Sequence, residues 1–172
     1  MGGQPRNGRD DGFTEFVVAR RALLYRTAYL LCGDSHRAED VVQIALAKLY
    51  VAWPRVSRME QVEAYARRTV VNAHLDETRR PWRRERPAPD TQLDGAVDGA
   101  DRLASDDALW QALRALAPGQ RRVVVLRHYW GLSVEETARD LGVSTGTVKS
   151  QSSAALTRLR GTLTPVTNGE TR

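Results

Sequence analysis

Apolar residues recur at helical spacing along this chain, most sharply in SVEETARDLGVSTGTVKSQSSAALTRLR, from Ser133 to Arg160. Val134, Thr137, Ala138 and Leu141 fall at i, i+3, i+4 and i+7, one face of a helix. Val148, Ser152, Ala155 and Leu159 form a second helical stripe, with Ser152 its weak member. Gly142 lies between them and can take the left-handed backbone that ends a helix. Ser144 then stands as N-cap, with Thr145 and Gly146 opening the second helix. Ala138 is small enough for two helices to cross closely. A short break with glycine and a small residue at the crossing predicts a helix-turn-helix. The second helix of such a unit enters the major groove. Lys149 and Ser150 lie opposite its apolar stripe and Ser153 continues that face, so Thr145, Thr147, Lys149, Ser150 and Ser153 are the candidate duplex-reading residues. Arg158 and Arg160 come too late for base edges and suit phosphates.

Three further helices are expected in the first half. Phe13, Phe16, Val17, Leu23, Leu24 and Leu31 mark the first, from Phe13 to Leu31, which Gly33, Asp34 and Ser35 interrupt. Ser35 is the expected cap of the next, from about Arg37 to Trp53, which Pro54 stops. Ala38, Val41, Val42, Ala45, Leu49 and Trp53 form its buried stripe. Glu39, Asp40, Gln43 and Ile44 occupy the opposite face, where Ile44 is an apolar side chain among polar ones. After a loop over Pro54–Met59, a third helix runs from Glu60 to about Arg80. Its inward residues are Val62, Ala66, Thr69, Val70 and Ala73. Tyr65, Arg68, Asn72, Asp76 and Arg79 line up outward, and an aromatic, an amide and arginines along one face suit melted or single-stranded DNA. The alternative for that face is an ordinary solvated helix surface.

From Pro81 the chain turns basic and aromatic, PWRRERP, then acidic, with Asp90, Asp94, Asp98 and Asp101 among Gly, Ala and Pro. Such a segment buries too little to hold one conformation. Ser105 caps the following helix, with Asp106 and Asp107 at its positive end, and Leu109, Trp110, Leu113 and Leu116 on its apolar face. Pro118 and Gly119 break that helix. Gln120 to Trp130 forms another, whose Val123–Leu126 run is apolar on too many sides for a surface helix and marks the centre of the domain. The expected fold is all-α, with two small helical domains joined by a flexible acidic linker. The expected boundaries are a disordered tail over 1–11, a domain over 12–80, the linker over 81–104, the helix-turn-helix domain over 105–163 and a tail over 164–172.

Composition narrows the function. The chain has 172 residues with 26 Lys and Arg against 21 Asp and Glu, a formal net charge of +5. A surplus of positive charge suits a polyanion, although by itself it promises only non-specific affinity. The polar N-terminus, and the lack of any apolar run long enough to span a membrane, point to a cytoplasmic protein. A lone cysteine, Cys32, excludes internal disulfides and multi-cysteine zinc sites and reads as buried packing. His36, His74 and His128 stand in different helices at no ligand spacing, and no phosphate loop or nucleophile elbow is present. The chain reads as no enzyme, with no cofactor and no metal.

With these residues in view, AEDVVQIALAKLYVAW (Ala38–Trp53), EAYARRTVVNAHLDETRR (Glu63–Arg80) and LSVEETARDLGVSTGTVKSQ resemble the extracytoplasmic-function sigma factors of the sigma-70 family, and the SigE-like actinobacterial group among them. The resemblance covers about Phe13–Arg80 and Ser105–Arg160. It implies a specificity subunit of bacterial RNA polymerase, with a region 2 domain, a region 4 domain and no chemistry of its own. It implies that Asp40, Gln43 and Ile44 dock on the clamp helices of the largest polymerase subunit, and that the second domain meets the flap region of the second-largest. It implies that Tyr65, Arg68, Asn72 and Arg79 contact the minus-ten element, while the loop carrying Arg55, Ser57 and Arg58 captures an extruded base. The acidic linker would thread toward the polymerase active centre. Many members have an anti-sigma partner. At Gln151–Ser153 many relatives carry arginine or histidine, so fewer cations here imply a weaker phosphate grip or a different promoter sequence. Two other classes fit the helix-turn-helix alone: a free-standing regulator binding paired half-sites, and an interaction protein whose DNA affinity is incidental. Neither needs the Glu63–Arg80 pattern after AEDVVQ.

Overall fold

Each amphipathic stripe closes on its neighbours within one of two units, which divide the chain at Asp94 and Gly95. The computed structural model describes residues 8–79 and 109–163. The acidic linker, the Ser105 cap and the tails over 1–7 and 164–172 lie outside the described residues. Every regular element among the described residues is helical.

The first unit is built from α1 (Gly8–Cys32), α2 (Ser35–Val56) and α3 (Val62–Arg79). The whole stripe expected on α2 is buried, and it meets Leu24 and Ala28 of α1 and Ala66, Val70 and Ala73 of α3. Three details depart from the sequence reading. Asp34, not Ser35, is the N-cap of α2, because its carboxylate accepts from the Arg37 N–H at 2.8 Å. Next, α1 begins at Gly8, inside the stretch expected to be a tail. Arg9 lies over the Tyr50 ring, 4.5 Å from its centroid, and Tyr50 Oη donates to Asp10 Oδ1 at 2.8 Å. That carboxylate also holds the Tyr50 phenol above its usual pKa. Phe13 then packs edge-on against both Tyr50 and Trp53.

The third departure is Pro54, which lies inside α2 rather than ending it. A proline in a helix interior costs about 3 kcal/mol, partly by leaving the carbonyl four residues back without a donor. That carbonyl is Tyr50 O, and Arg9 Nη2 donates to it at 2.7 Å. Full burial of Val56, one turn's fraction further on, contributes about 1.5–3 kcal/mol in the other direction. The two effects carry the helix past its breaker, and the loop shrinks to residues 57–61.

The second unit holds a helical segment over 109–114 (α4), then α5 (Pro118–Val124), a π-helical turn (Val125–Tyr129), α6 (Val134–Leu141) and α7 (Thr145–Leu163). Pro118 and Gly119 open α5 instead of merely breaking the chain: proline is favoured at a first helical position, where no N–H is needed. Gln120 accepts from the Ala117 N–H there at 3.3 Å. Val123 to Leu126 are all buried, as expected of a central segment. The last two of them, Val125 and Leu126, open the π-turn, whose wider ring is closed by Trp130 N–H to Val125 O at 3.1 Å. In α4, Leu113 is buried while Leu109, expected beside it, is 40% exposed.

Candidate nucleic-acid interface

The helix-turn-helix is set by caps. Ser133 Oγ accepts from the Glu136 N–H at 3.0 Å and Glu136 Oε2 accepts from the Ser133 N–H at 2.8 Å, a reciprocal box that fixes where α6 starts. Gly142 ends it with φ 65° and ψ 36°, and the Val143 N–H returns to Ala138 O at 3.0 Å. Ser144 Oγ then accepts from the Thr147 N–H at 3.1 Å and starts α7. Ala138 and Val148 meet at the crossing over Val123. A Cβ at Gly142 meets nothing within 4 Å, so the cost of Gly142→Ala is backbone strain alone. We expect a loss of about 1–2 kcal/mol, read by calorimetry as a lower unfolding midpoint for this unit, with Gly142→Asn affected less.

Opposite the buried Val148 and Ala155, the side chains of Thr145, Thr147, Lys149, Ser150 and Ser153 are all exposed on α7. Thr147 Oγ1 lies 2.9 Å from Ser144 Oγ, and Ser150 Oγ donates to Thr147 O at 3.0 Å. Beside this face runs a shallow groove whose lining includes Arg127, Lys149, Ser153 and Arg160. Arg127, held by its bond to Leu132 O, adds a cation that the sequence reading missed, since it belongs to the π-turn and only packing brings it alongside α7. Gln151, at a position where many relatives carry a cation, is half-buried, and the space a Cβ would take on Gly119 lies 3.5 Å from its Oε1. Its amide thus lies at the contact between α5 and α7.

In the first unit, Arg55, Ser57, Arg58, Asn72 and Arg79 are exposed and Arg68 is half-buried. Arg55 is the last but one residue of α2, not a loop residue, and Val56 beside it is fully buried. Tyr65 is half-buried against the core instead of pointing outward. The Arg55 guanidinium lies 5.9 Å from its ring centroid. Asp76 turns to Lys48 of α2 at 3.3 Å, which takes one negative charge off the expected row. The structure thus brings Arg55 and Tyr65 together and leaves Asn72 and Arg79 further along α3.

On α2, Asp40, Gln43 and Ile44 are exposed, with Ile44 at 40%. Val51, seven residues beyond Ile44 and so on the same face, is 77% exposed. The i+7 spacing from Ile44 marks it in the sequence. Ile44 and Val51 are thus two exposed apolar side chains on one face of α2.

Elsewhere in this unit, Cys32 is partly buried against the core, as expected of a packing residue, and its Sγ lies 3.4 Å from His74 Nδ1. Glu77 joins them, the three ligand atoms lying within 4.8 Å of one another.

Residues 16–84 match the family described as Sigma-70 region 2, and residues 106–159 match Sigma-70, region 4. The chain is 42% identical over 153 residues to the RNA polymerase sigma-E factor of Streptomyces avermitilis, covering 86% of this chain and 83% of that protein. It is 34% identical over 150 residues to the ECF RNA polymerase sigma factor SigM of Mycobacterium tuberculosis, covering 86% and 74%. This chain belongs to the sigma-70 family, among the extracytoplasmic-function sigma factors. Such a sigma factor is no enzyme: it binds core RNA polymerase and directs it to promoter DNA. The fold agrees with that of the sigma factor RpoE from Bartonella quintana, solved with the anti-sigma factor NepR, at a TM-score of 0.65 and 25% identity over 87% of this chain and 94% of that one. No described helix of this sigma factor is long and apolar enough to cross a membrane.

Proposed function

We propose that the exposed face of α7 reads the minus-thirty-five element as duplex, while the α2–α3 corner of the first unit holds minus-ten bases once they leave the stack. The observation that carries this reading is the separation of faces on α7: Val148 and Ala155 are 0% exposed while Lys149, Ser150 and Ser153 point to solvent. Thr145 and Thr147 stand at the N-terminal end of α7, which meets base edges first in this geometry. Lys149, Arg127 and Arg160 suit phosphates. Ser150 donates its proton to Thr147 O, so its lone pairs face outward and fit an amino group of adenine or cytosine.

In the first unit, unstacking a base costs a few kcal/mol, and stacking on one aromatic ring offers about 1–3 kcal/mol. Tyr65 is the ring at hand, and the Arg55 guanidinium over it offers a second planar surface for a base. Ser57, Arg58 and Arg68 surround that corner, with Asn72 and Arg79 further along the strand's path. Asp40, Gln43, Ile44 and Val51 form the surface for the clamp helices of the largest polymerase subunit, and the second unit meets the flap region of the second-largest. A cytoplasmic location follows from these partners. An anti-sigma factor, of the class bound by the Bartonella relative, is the remaining partner.

In vitro transcription with core polymerase on a promoter library tests this. Template-specific transcripts that need the chain support it. Specific duplex binding by the chain alone, with no added transcription, would make it a free-standing regulator. On responsive promoters, Lys149→Ala is expected to weaken binding to every sequence and lower the salt slope by about one charge. Ser150→Ala and Ser153→Ala instead change base preference at single upstream positions. If none of the three alters binding or preference, the recognition face lies elsewhere.

A further inference from the structure

The end of α1 and one face of α3 bring together the chain's only thiol and two buried polar side chains. Cys32 closes α1, while His74 and Glu77, three residues apart on α3, share a face and are 5% and 6% exposed. We propose that Cys32, His74 and Glu77 form a binding site for a zinc-class divalent cation, with water completing the coordination.

The geometry favours a tetrahedral ion. Zinc bonds of about 2.3 Å to sulfur and about 2.0–2.1 Å to imidazole nitrogen put the two ligand atoms about 3.6 Å apart at the tetrahedral angle. Cys32 Sγ and His74 Nδ1 are 3.4 Å apart. The two side chains therefore need almost no movement to share an ion, and a rotation of the Glu77 carboxylate completes the set. At present Glu77 Oε1 lies 3.5 Å from Arg37 Nε, and Arg37, 46% exposed in its side chain, can release it to solvent. Charge favours the exchange too. A thiolate, a carboxylate and neutral imidazole around a divalent ion sum to zero, which suits a site this buried far better than a bare cation would. Thiolate and imidazole ligands select zinc over magnesium or calcium. On binding, Cys32 gives its thiol proton to solvent, and His74 coordinates through unprotonated Nδ1 with its proton on Nε2. Cys32, only partly buried, leaves a way in for the fourth, water ligand. Such an ion ties the end of α1 to α3 across a long stretch of chain, the kind of loop whose closure a metal clip stabilises most.

The test uses the untagged full-length chain, stripped of metal and kept reduced without thiols. ZnCl2 is titrated against a chelating indicator and CoCl2 is followed by absorption. One equivalent of Co2+ is expected to give the thiolate charge-transfer band in the near ultraviolet with the intense visible bands of tetrahedral cobalt. Zinc at about a hundredfold above its Kd is expected to raise the unfolding midpoint of the first unit by about 10 °C. Cys32→Ser removes the charge-transfer band, and Cys32→Ser and His74→Gln each weaken zinc by more than about tenfold, the effect of losing even an outer-shell partner. His74 is buried and its variant can fail to fold, but Cys32→Ser replaces a partly buried side chain with one of similar shape, and circular dichroism checks it. Equal zinc affinity in folded Cys32→Ser, or binding that follows only the exposed His36 and His128, overturns the site.

Discussion

Asp40→Arg combined with Ile44→Arg abolishes co-purification with core polymerase while the isolated chain keeps its helicity. Both side chains are exposed, whereas Ala38, Val41, Val42 and Ala45, which hold α2 in the core, lie on its other side. Folding therefore does not need them. An interface that buries Ile44 loses an apolar contact and gains an unpaired cation, and reversing Asp40 turns an attraction into repulsion. Central contacts of this kind cost about 2 kcal/mol or more each when lost, and every 1.4 kcal/mol is about tenfold in affinity. The double variant is thus expected to bind core enzyme about a thousandfold more weakly, as read by fluorescence anisotropy against purified core. Val51→Arg, further along the same stripe, weakens it as well. Retained binding by a chain of normal helicity would move the docking surface off this face.

The second large effect is on melting. Asn72→Ala, or the joint change Arg55→Ser, Ser57→Gly and Arg58→Ser, leaves polymerase binding and duplex recognition nearly intact and lowers open-complex formation. Val56 is kept in the joint variant, because it is fully buried and its loss would unfold the corner instead of testing it. Asn72 is exposed while Val70, Val71 and Ala73 around it are buried, so its amide is not needed for packing. Removing Arg55 takes away the second planar surface beside the Tyr65 ring, so an extruded base is held less firmly there. Permanganate reactivity of thymines near the start site, on duplex and pre-melted templates, measures this. The pre-melted template restores only part of the signal, because its strands are already apart but the pocket is still missing. Variants that open duplex promoters as well as the parent chain would show that the first unit does not stabilise melted DNA.

The contrast between these two sites explains which features were legible in the chain alone. The α2 face was readable because a helix repeats itself: once Ala38, Val41, Val42 and Ala45 are apolar at i, i+3, i+4 and i+7, the direction of Asp40 and Ile44 follows. The helix-turn-helix was readable for the same reason, with the Ser144 cap and the left-handed Gly142 adding local backbone chemistry. Tyr65 was harder. It obeys the outward spacing, yet a large ring at the margin of a stripe is drawn toward the core, and Arg55 follows it.

What the sequence determined by itself was short-range: the helical stripes, the Ser144 cap and left-handed Gly142 of the helix-turn-helix, the two helical domains, and motifs specific enough to place the chain among sigma factors. What only the tertiary structure decided depends on residues far apart. The survival of α2 through Pro54 rests on Arg9 reaching Tyr50 O across 41 positions. The thiol–imidazole contact joins Cys32 and His74 across 42. Arg127 reaches the α7 groove through a π-turn, and Gln151 lies where α5 approaches α7 at Gly119. Periodicity reports which side of a helix faces inward. It carries no information on which residue of another helix lies opposite, because that is set by how the packed side chains fix the crossing of one helix on the next.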